Sequence, residues 1–244
     1  MKAMILAAGL GLRLRPLTET TPKTLIPIQG VPLLDIIIRR LVRAGVDGII
    51  VNAFHLADQV EDFLQSRYWG VPVVVSREDE LLSTGGGLKQ ACWFFDDRKP
   101  FFLHNGDVYS EVDLALMYRA HQKSGALASL AVSDRSTQRY FLFDDQDRLR
   151  GWESLKEESK QWAGPPAVQA RRLAFNGIAI LSPELPARIS ETGVFPITKT
   201  YLRLAAEGAL LRAFRSDAYF CCDIGDDAKL ERARRRADEA GLPA

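Results

Sequence analysis

The residues best suited to chemistry follow the first apolar run of the chain. Gly9 and Gly11 come directly after residues 2–7, and the cations Arg13 and Lys23 follow them. Glycines after a strand let the backbone approach a ligand closely, and the N–H groups of such a turn form a concave anion site. A polyphosphate needs the two cations as well, because backbone N–H groups do not neutralise several charges. The turn indicates phosphate binding, the alternative being a glycine turn with surface cations.

Two known phosphate-binding loops are excluded by the spacing around this turn. A dinucleotide fingerprint requires a third glycine where Leu14 stands, and a P-loop requires a Gly-Lys-Ser/Thr triplet that the segment lacks. An NAD-dependent dehydrogenase is further disfavoured because Asn52, and not an acidic residue, ends the second predicted strand. A phosphate site built on this turn therefore belongs to another class.

Two aspartates follow apolar runs elsewhere in the chain. Asp107 ends an N-G-D motif after residues 101–103, and Asp223 comes after residues 218–222. Loops that follow parallel strands meet at one edge of the sheet, where α/β proteins bind ligands. Two carboxylates beside a phosphate loop suit Mg²⁺, which takes a few hard oxygen ligands from the protein and the rest from water and phosphate. The alternative is that Asp107 caps a turn and Asp223 caps the last helix.

Alternating apolar runs and helical patterns must position these residues. The predicted strands cover residues 2–7, 48–52, 71–76, 100–104, 126–132, 173–181 and 218–222. The predicted helices cover residues 32–45, 57–65, 87–95, 112–123, 197–207 and 227–240. This order predicts an α/β fold with a doubly wound, mostly parallel, Rossmann-like sheet. We expect one domain, 1–244, with a small β-rich insertion at the sheet edge over about 134–172 and a C-terminal helix over about 226–244.

Composition narrows the possible partners and the compartment. Lys and Arg number 32 against 31 Asp and Glu, so no overall field draws the protein to nucleic acid or an anionic membrane. No apolar run approaches the ~20 residues that span a bilayer, and we expect a cytoplasmic protein. The three cysteines, Cys92, Cys221 and Cys222, lack the spacing of a disulfide framework or a metal site, and we expect them to be reduced.

Several motifs in order along the chain resemble those of the sugar-1-phosphate nucleotidyltransferase family. The first is L-A-A-G-x-G-x-R-L-x-P-L-T, beginning at Leu6, followed by P-K-x-L-x-P-I beginning at Pro22. The later ones are S-T-G-G-G at 83–87, N-G-D at 105–107, F-N-G at 175–177 and C-D-I-G at 222–225. Within the family, the chain is similar to the compact N-acetylmuramate 1-phosphate uridylyltransferases. The resemblance implies a fold of the nucleotide-diphospho-sugar transferase type.

The resemblance also implies roles for particular residues on the nucleotide side. Nucleotide binding falls to Leu6, Ala7, Ala8, Gly9, Gly11, Glu78, Thr84 and Gly85. Catalysis falls to Arg13, Lys23 and Asp107, while Asp107 and Asp223 would hold Mg²⁺. A carboxylate at position 78 suits the N3–H of uracil or thymine, although guanine N1–H also fits, and Asn52 is a weaker candidate for base contact.

On the sugar side, the resemblance implies that Glu153 binds hydroxyl groups and that Asn176 and Gly177 contact the acetamido or ring substituents. Many relatives follow that glutamate with a lysine on the sugar phosphate, whereas this chain has Ser154. The cation for the sugar phosphate is therefore left open among Arg139, Lys156, Arg171 and Arg172.

The reaction implied is Mg²⁺-dependent transfer of a nucleotidyl group from a nucleoside triphosphate, with UTP favoured, to a sugar 1-phosphate such as N-acetylmuramate 1-phosphate. A phosphate monoester is already anionic near pH 7, so no general base is needed and the three histidines are expected to be structural or exposed. A mannose- or heptose-1-phosphate guanylyltransferase stays open, as does a non-catalytic regulatory protein that binds nucleotide sugars. We expect no nucleic-acid or membrane partner and a monomer or homodimer.

Overall fold

A ten-stranded mixed sheet lies at the centre of the computed structural model, which describes residues 1–166 and 169–242. The strands are β1 (Lys2–Leu6), β2 (Pro27–Ile28), β3 (Val31–Pro32), β4 (Gly48–Ala53), β5 (Val73–Arg77), β6 (Phe101–Asn105), β7 (Val108–Ser110), β8 (Ala128–Ser133), β9 (Arg139–Phe143), β10 (Leu149–Ser154), β11 (Ser159–Trp162), β12 (Arg171–Leu181), β13 (Leu211–Arg215) and β14 (Cys221–Asp223). The helices are α1 (Leu17–Thr20), α2 (Leu33–Arg43), α3 (Ala57–Gln65), α4 (Ser83–Gln90), α5 (Leu114–Ser124), α6 (Ile197–Ala206) and α7 (Asp227–Ala240).

The sheet has a parallel centre with antiparallel additions. Its order is β11-β10-β9-β12-β6-β1-β4-β5, and β8 pairs with β12 and with β13. The strands β6, β1, β4 and β5 are parallel, whereas β12 runs antiparallel to both β6 and β8. The predicted α/β class with a mostly parallel central sheet is confirmed.

Apolar layers cover both faces of the sheet. On β1, Ala3 and Ile5 pack into the layer that contains α2, α3, α5 and α7, while Met4 packs into the layer that contains α4 and α6. Full burial of an Ile or Met side chain stabilises the fold by about 1.5–3 kcal/mol. Burial on both faces explains why the strand reads as an unbroken apolar run, as in other parallel sheets.

The segment expected as an insertion extends the sheet as antiparallel strands. The start of β12 pairs with β9, and the rest pairs with β8 and β6. The strand β11 was not predicted, because its residues are mostly polar and exposed. Residues 167–168 and 243–244, which fall within the expected insertion and the expected C-terminal helix, lie outside the described residues.

Two other predicted elements differ from the structure, and one further strand of the central sheet was not predicted. The helix expected at 87–95 begins at Ser83 and ends at Gln90. The strand β13 was not predicted, and the strand expected at 218–222 is reduced to Cys221–Asp223, which pairs with β7 outside the central sheet. Glycine has a low helix propensity, so the glycine run at 85–87 led us to predict a later start for α4 than the structure shows.

No helix within residues 1–166 and 169–242 combines the length and the apolar character needed to cross a membrane.

Candidate active site

A cleft of about 350 Å³ lies at the carboxyl ends of β1, β4 and β6; we call it the glycine cleft. Parallel α/β sheets bind ligands at this edge, because the loops that leave neighbouring strands diverge there. Of the sequence-predicted residues, the cleft brings together Leu6, Ala7, Ala8, Gly9, Gly11, Lys23, Thr84 and Asp107. Asn52, the weaker candidate, also lines it.

The two glycines of the first turn serve different purposes. Gly11 has φ +64°, and a Cβ there would lie 2.7 Å from Thr18 Cγ2, so both the backbone angle and the packing require glycine. Its carbonyl accepts hydrogen bonds from Thr18 Oγ1 and Leu14 N, each at 2.9 Å. Around Gly9, a Cβ would meet no atom within 4 Å. Gly9 therefore leaves open space beside the backbone, whereas Gly11 shapes the turn.

Glu78 holds Asn52 in place and does not reach the glycine cleft. The Glu78 side chain accepts hydrogen bonds from Asn52 Nδ2 at 2.6 Å and from Leu82 N at 3.0 Å, and the residue is 4% exposed. Asn52 in turn presents Oδ1 to Ala7 N at 2.7 Å. The structure thus places Glu78 behind the residue expected as the weaker base contact, where it fixes the orientation of the Asn52 amide and of the first turn.

The S-T-G-G-G motif forms the start of α4. Thr84 lines the glycine cleft, and its Oγ1 accepts a hydrogen bond from Ile197 N at 2.9 Å. Gly85 donates its N–H to Phe195 O at 2.9 Å, and a Cβ on Gly85 would lie 2.3 Å from Phe195 Cε2. The structure therefore does not bring Gly85 into the cleft wall; its lack of a side chain lets α4 pack against Phe195.

Strand pairing brings the two predicted metal aspartates together. Asp223 on β14 lies opposite Val108 on β7, and Ile224 N donates to Asp107 O at 2.8 Å. Both aspartates line a second cavity, of about 180 Å³, which we call the aspartate cavity. It shares Asn105 and Asp107 with the glycine cleft, so the two spaces adjoin.

Each aspartate has a lysine partner. Lys23 Nζ donates to Asp107 Oδ2, and Lys229 Nζ lies 2.8 Å from each carboxylate oxygen of Asp223. Burial by itself would raise the pKa of Asp223. The hydrogen bonds from Lys229 and the positive charges of Lys229, Lys23 and Arg135 together outweigh burial, so the pKa of Asp223 lies below its usual value. Sequence reasoning missed Lys229, because its contact with Asp223 depends on how α7 begins at Asp227.

Arg13 lies beside Asp223 and outside the wall of the glycine cleft. Its side chain is 68% exposed, with Nη1 4.0 Å from Asp226 Oδ2. A Cβ on Gly225 would lie 2.6 Å from Arg13 Nη2, so the guanidinium packs directly against the backbone of the C-D-I-G motif. Arg13 is thus near Asp223, and it forms no ion pair within 4.0 Å with either predicted metal aspartate.

The predicted sugar residues occupy two separate places. Asn176 and Gly177 line the aspartate cavity, and Gly177 has φ +72°. Glu153 lies on β10 instead, where both of its oxygens accept hydrogen bonds from Arg172, at 2.5 and 2.9 Å. These hydrogen bonds lower the pKa of Glu153. The structure does not place Glu153 among the residues that line either space.

Among the described residues that line the aspartate cavity, Arg135 is the only cation, and none of the four candidates for the sugar phosphate lines it. Arg139 pairs with Glu157, Arg171 with Asp147 and Arg172 with Glu153, and Lys156 is exposed. Sequence reasoning missed Arg135 because it lies in the loop before β9, within the segment expected as an insertion.

Two histidines are buried and neutral near pH 7, and the half-buried Cys221 keeps its thiol protonated there. Burial lowers the pKa of His104 and of His121 to about 4 and raises the pKa of Cys221 to about 12. Within residues 1–166 and 169–242, no three His, Cys, Asp or Glu side chains are grouped so that they could hold a metal ion. Any ion held at Asp107 and Asp223 must therefore complete its shell with ligand oxygens or water.

Comparison with known sequences agrees with this geometry. The family profile described as "Nucleotidyl transferase" matches residues 2–148. The chain is 35% identical over 187 residues to the N-acetylmuramate alpha-1-phosphate uridylyltransferase of Neisseria meningitidis, covering 76% of this chain and 77% of that protein. It is 29% identical over 222 residues to mannose-1-phosphate guanyltransferase beta-B of Xenopus laevis, covering 86% of this chain but only 58% of the frog protein.

A solved structure supports the fold. The UDP-glucose pyrophosphorylase of Acinetobacter baumanii superposes with a TM-score of 0.79 at 19% identity, covering 99% of this chain and 95% of that one. Its identity to the chain is too low to inform on substrates. The chain belongs to the sugar-1-phosphate nucleotidyltransferase family, as its motifs led us to expect.

Proposed function

We propose that the protein transfers a nucleotidyl group from a nucleoside triphosphate to a sugar 1-phosphate and releases pyrophosphate. The observation that carries this proposal is the junction of the two spaces at Asp107, with Asp223 beside it. The glycine cleft would hold the nucleotide, and the aspartate cavity would hold the phosphate of the sugar. The two phosphates then meet next to both carboxylates.

The chemistry needs orientation and charge more than proton transfer. An oxygen of the sugar phosphate forms a bond to the α-phosphorus, and the bond from that phosphorus to the oxygen of the β-phosphate breaks. Since a phosphate monoester has a second pKa of about 6, its oxygen is already anionic near pH 7. The two buried histidines are therefore not required as bases. Lys23, Arg13 and the backbone of the first turn would offset the charge on the triphosphate.

The two aspartates fit a divalent cation. They present hard carboxylate oxygens from the turn before β7 and from β14, and each already contacts a cationic side chain, Lys23 or Lys229. A cation such as Mg²⁺ would be held by Asp107 and Asp223. When bound, it would supply positive charge that reduces the repulsion between the two phosphates.

For the substrates, we propose UTP and N-acetylmuramate 1-phosphate, supported by the Neisseria relative that covers most of both chains. Glu78 gives this choice no direct support, because its carboxylate is turned away from the cleft to Asn52. A mannose-1-phosphate guanylyltransferase is the second candidate, supported by the frog relative. Retention of both aspartates favours catalysis over a purely regulatory role in binding nucleotide sugars.

A pyrophosphate-release assay tests the proposal. UTP, dTTP, GTP, CTP and ATP are each combined with the 1-phosphates of N-acetylmuramate, N-acetylglucosamine, glucose, mannose and a heptose. We expect the highest kcat/KM for UTP with N-acetylmuramate 1-phosphate, and loss of release on adding EDTA. Preference for GTP with mannose or heptose 1-phosphate would move the assignment to the second candidate. No release from any pair would contradict a catalytic role.

A further inference from the structure

Arg135 is held at the aspartate cavity by neutral acceptors. Its Nε donates to Asn176 Oδ1 at 3.0 Å, and its Nη2 donates to Phe175 O at 3.1 Å. Among the residues that the structure describes, no carboxylate lies within 4.0 Å of its guanidinium. Its positive charge is therefore oriented by hydrogen bonds but not neutralised by an ion pair.

Buried hydrogen bonds fix the orientation of the Asn176 amide that holds Arg135. Asn176 is 3% exposed, and its Nδ2 donates to Ser133 Oγ at 3.0 Å and to Ser216 Oγ at 2.9 Å. Turning the amide over would face its NH₂ group toward the Nε–H of Arg135 and leave buried donors without acceptors, at a cost of about 1–3 kcal/mol. Asn176 therefore presents its oxygen to Arg135.

Arg135 differs from the two nearby lysines in how its positive charge is paired. Lys23 and Lys229 each contact an aspartate, whereas Arg135, which lines the aspartate cavity, has no carboxylate partner among the described residues. An arginine that is preorganised but not neutralised suits a phosphate, which its planar guanidinium can bind through two N–H groups.

We propose that Arg135 binds the phosphate of the sugar 1-phosphate and holds it beside Asp107 and Asp223. This inference rests on the proposed function and adds the residue that recognises the acceptor. Asn176 acts through Arg135 as a positioning residue, which gives the buried amide a role other than direct contact with the sugar.

Steady-state kinetics of Arg135→Ala and Arg135→Lys, with Arg148→Ala as control, test the proposal. Arg148 is an exposed arginine in the turn between β9 and β10, away from both spaces. Arg135→Ala should raise the KM for the sugar 1-phosphate at least ~10-fold and leave the KM for the nucleoside triphosphate within about twofold. Arg135→Lys should restore part of the affinity, and Arg148→Ala should change neither constant. Equal rises in both KM values, or a fall in kcat alone, would overturn the proposal.

Asn176→Asp provides a second variant in case Arg135→Ala does not fold. It keeps the shape of residue 176 but places a carboxylate on Arg135, so the KM for the sugar 1-phosphate should rise while the KM for the nucleoside triphosphate stays within about twofold of wild type. Loss of the Nδ2 donors to Ser133 and Ser216 lowers stability, so circular dichroism confirms that the variant is folded. An unchanged KM in folded Asn176→Asp would contradict the proposal.

Calorimetric titration with N-acetylmuramate 1-phosphate and glucose 1-phosphate separates this inference from the proposed function. We expect wild type to bind at least one of them more tightly than Arg135→Ala. Equal affinity of wild type and Arg135→Ala would overturn the role of Arg135 even if pyrophosphate release is confirmed. Failure of pyrophosphate release together with an Arg135-dependent affinity would contradict only the proposed reaction.

Discussion

Asp107 and Lys23 show how a single ion pair can serve both the fold and the reaction. The pair lies between the glycine cleft and the aspartate cavity, and Lys23 is largely buried while Asp107 is half-buried. A buried charge is costly without its partner, so each residue compensates the burial of the other when no substrate is bound. When substrate enters, Lys23 would face phosphate oxygens, and Asp107 would face the divalent cation proposed to accompany them.

Neutralising either member of this pair should impair catalysis without unfolding the protein. We expect Asp107→Asn or Lys23→Ala to lower kcat by ~10²-fold or more, because each removes charge from the place where the phosphates meet. The measurement is pyrophosphate release at saturating substrate, with circular dichroism to confirm folding. Asp145→Asn, which changes an exposed acid in the turn before β10, is the matched control. Turnover near that of wild type in folded Asp107→Asn would contradict the assigned role.

A substitution of Glu78 tests whether this residue recognises the nucleotide base or supports Asn52 and the first turn. Glu78→Gln keeps the size of the side chain but places an NH₂ group against the donors Asn52 Nδ2 and Leu82 N. One buried donor loses its acceptor, so the free energy of unfolding should fall by about 1–3 kcal/mol. The ratio of kcat/KM for UTP to that for GTP should stay unchanged. A changed ratio at unchanged stability would return Glu78 to direct contact with the base.

At the scale of elements, the site depends on how α4 and α6 meet the segment between them. Gly85 and Phe195 are in close contact, and Glu191 accepts hydrogen bonds from Thr200 Oγ1 and Arg203 Nε on α6. These contacts hold the start of α4, and with it Thr84, against the glycine cleft. The geometry of the cleft wall therefore depends on residues that touch no ligand.

The Glu191–Arg203 pair should contribute stability that disappears in acid. The hydrogen bond from Arg203 lowers the pKa of Glu191 from 4.5 to about 2. Because the folded pKa is depressed, the contribution is fully present above about pH 4.5 and is lost as pH falls toward 2. Glu191→Gln should lower the free energy of unfolding by about 1–3 kcal/mol at pH 7. Urea unfolding should show this difference narrowing between pH 4.5 and 3.

The control for this prediction is Glu207→Gln, which changes an exposed partner of the same arginine. Its effect at pH 7 should be much smaller, because water screens the pair. If Glu207→Gln lowered the free energy of unfolding as much as Glu191→Gln does, burial of the Glu191 carboxylate would not explain its contribution to stability. A loss in Glu191→Gln that does not change with pH would contradict the prediction as well.

At the scale of the whole molecule, one antiparallel strand joins the two parts of the site. Because β12 runs antiparallel to β6, its Asn176 and Gly177 lie beside the carboxyl end of β6, where a Cβ on Gly177 would come 3.0 Å from Asn105 Nδ2. The parallel strands supply the glycine cleft, and β12 supplies part of the aspartate cavity. Both spaces therefore border the central sheet, and the separate pair β7 and β14 completes the aspartate cavity.

Nucleotide binding should accordingly stabilise the whole fold. With UTP and MgCl₂ at ~100 times their dissociation constant, linkage predicts about 2.7 kcal/mol of added stability. For a chain of this size, that free energy corresponds to a rise in Tm of about 5–10 °C. Differential scanning calorimetry should show the rise for wild type and its loss with Asp107→Asn. The same rise in wild type with EDTA in place of MgCl₂ would contradict a role for a divalent cation.

Much of the fold and part of the site could be predicted from local patterns. Strands such as β1 and β4 are mostly apolar because both faces of the sheet are covered. The turn after β1 is marked by two glycines, of which Gly11 has a positive φ. The strand β11 could not be predicted in this way, because its polar residues lie on an exposed edge. Glu78 was predicted to contact the nucleotide base, but it is buried behind Asn52, and this burial depends on the packing of α4.

The sequence by itself determined the family, the α/β class and the set of groups that carry phosphate chemistry, because these depend on residue type and order along the chain. Only the tertiary structure decided which groups meet. The pairing of β14 with β7 joins Asp223 to Asp107 across more than a hundred residues, and the loop before β9 brings Arg135 to the same cavity. Such contacts depend on which distant segments meet, and the alternation of side chains along a strand sets its buried face but not its partner.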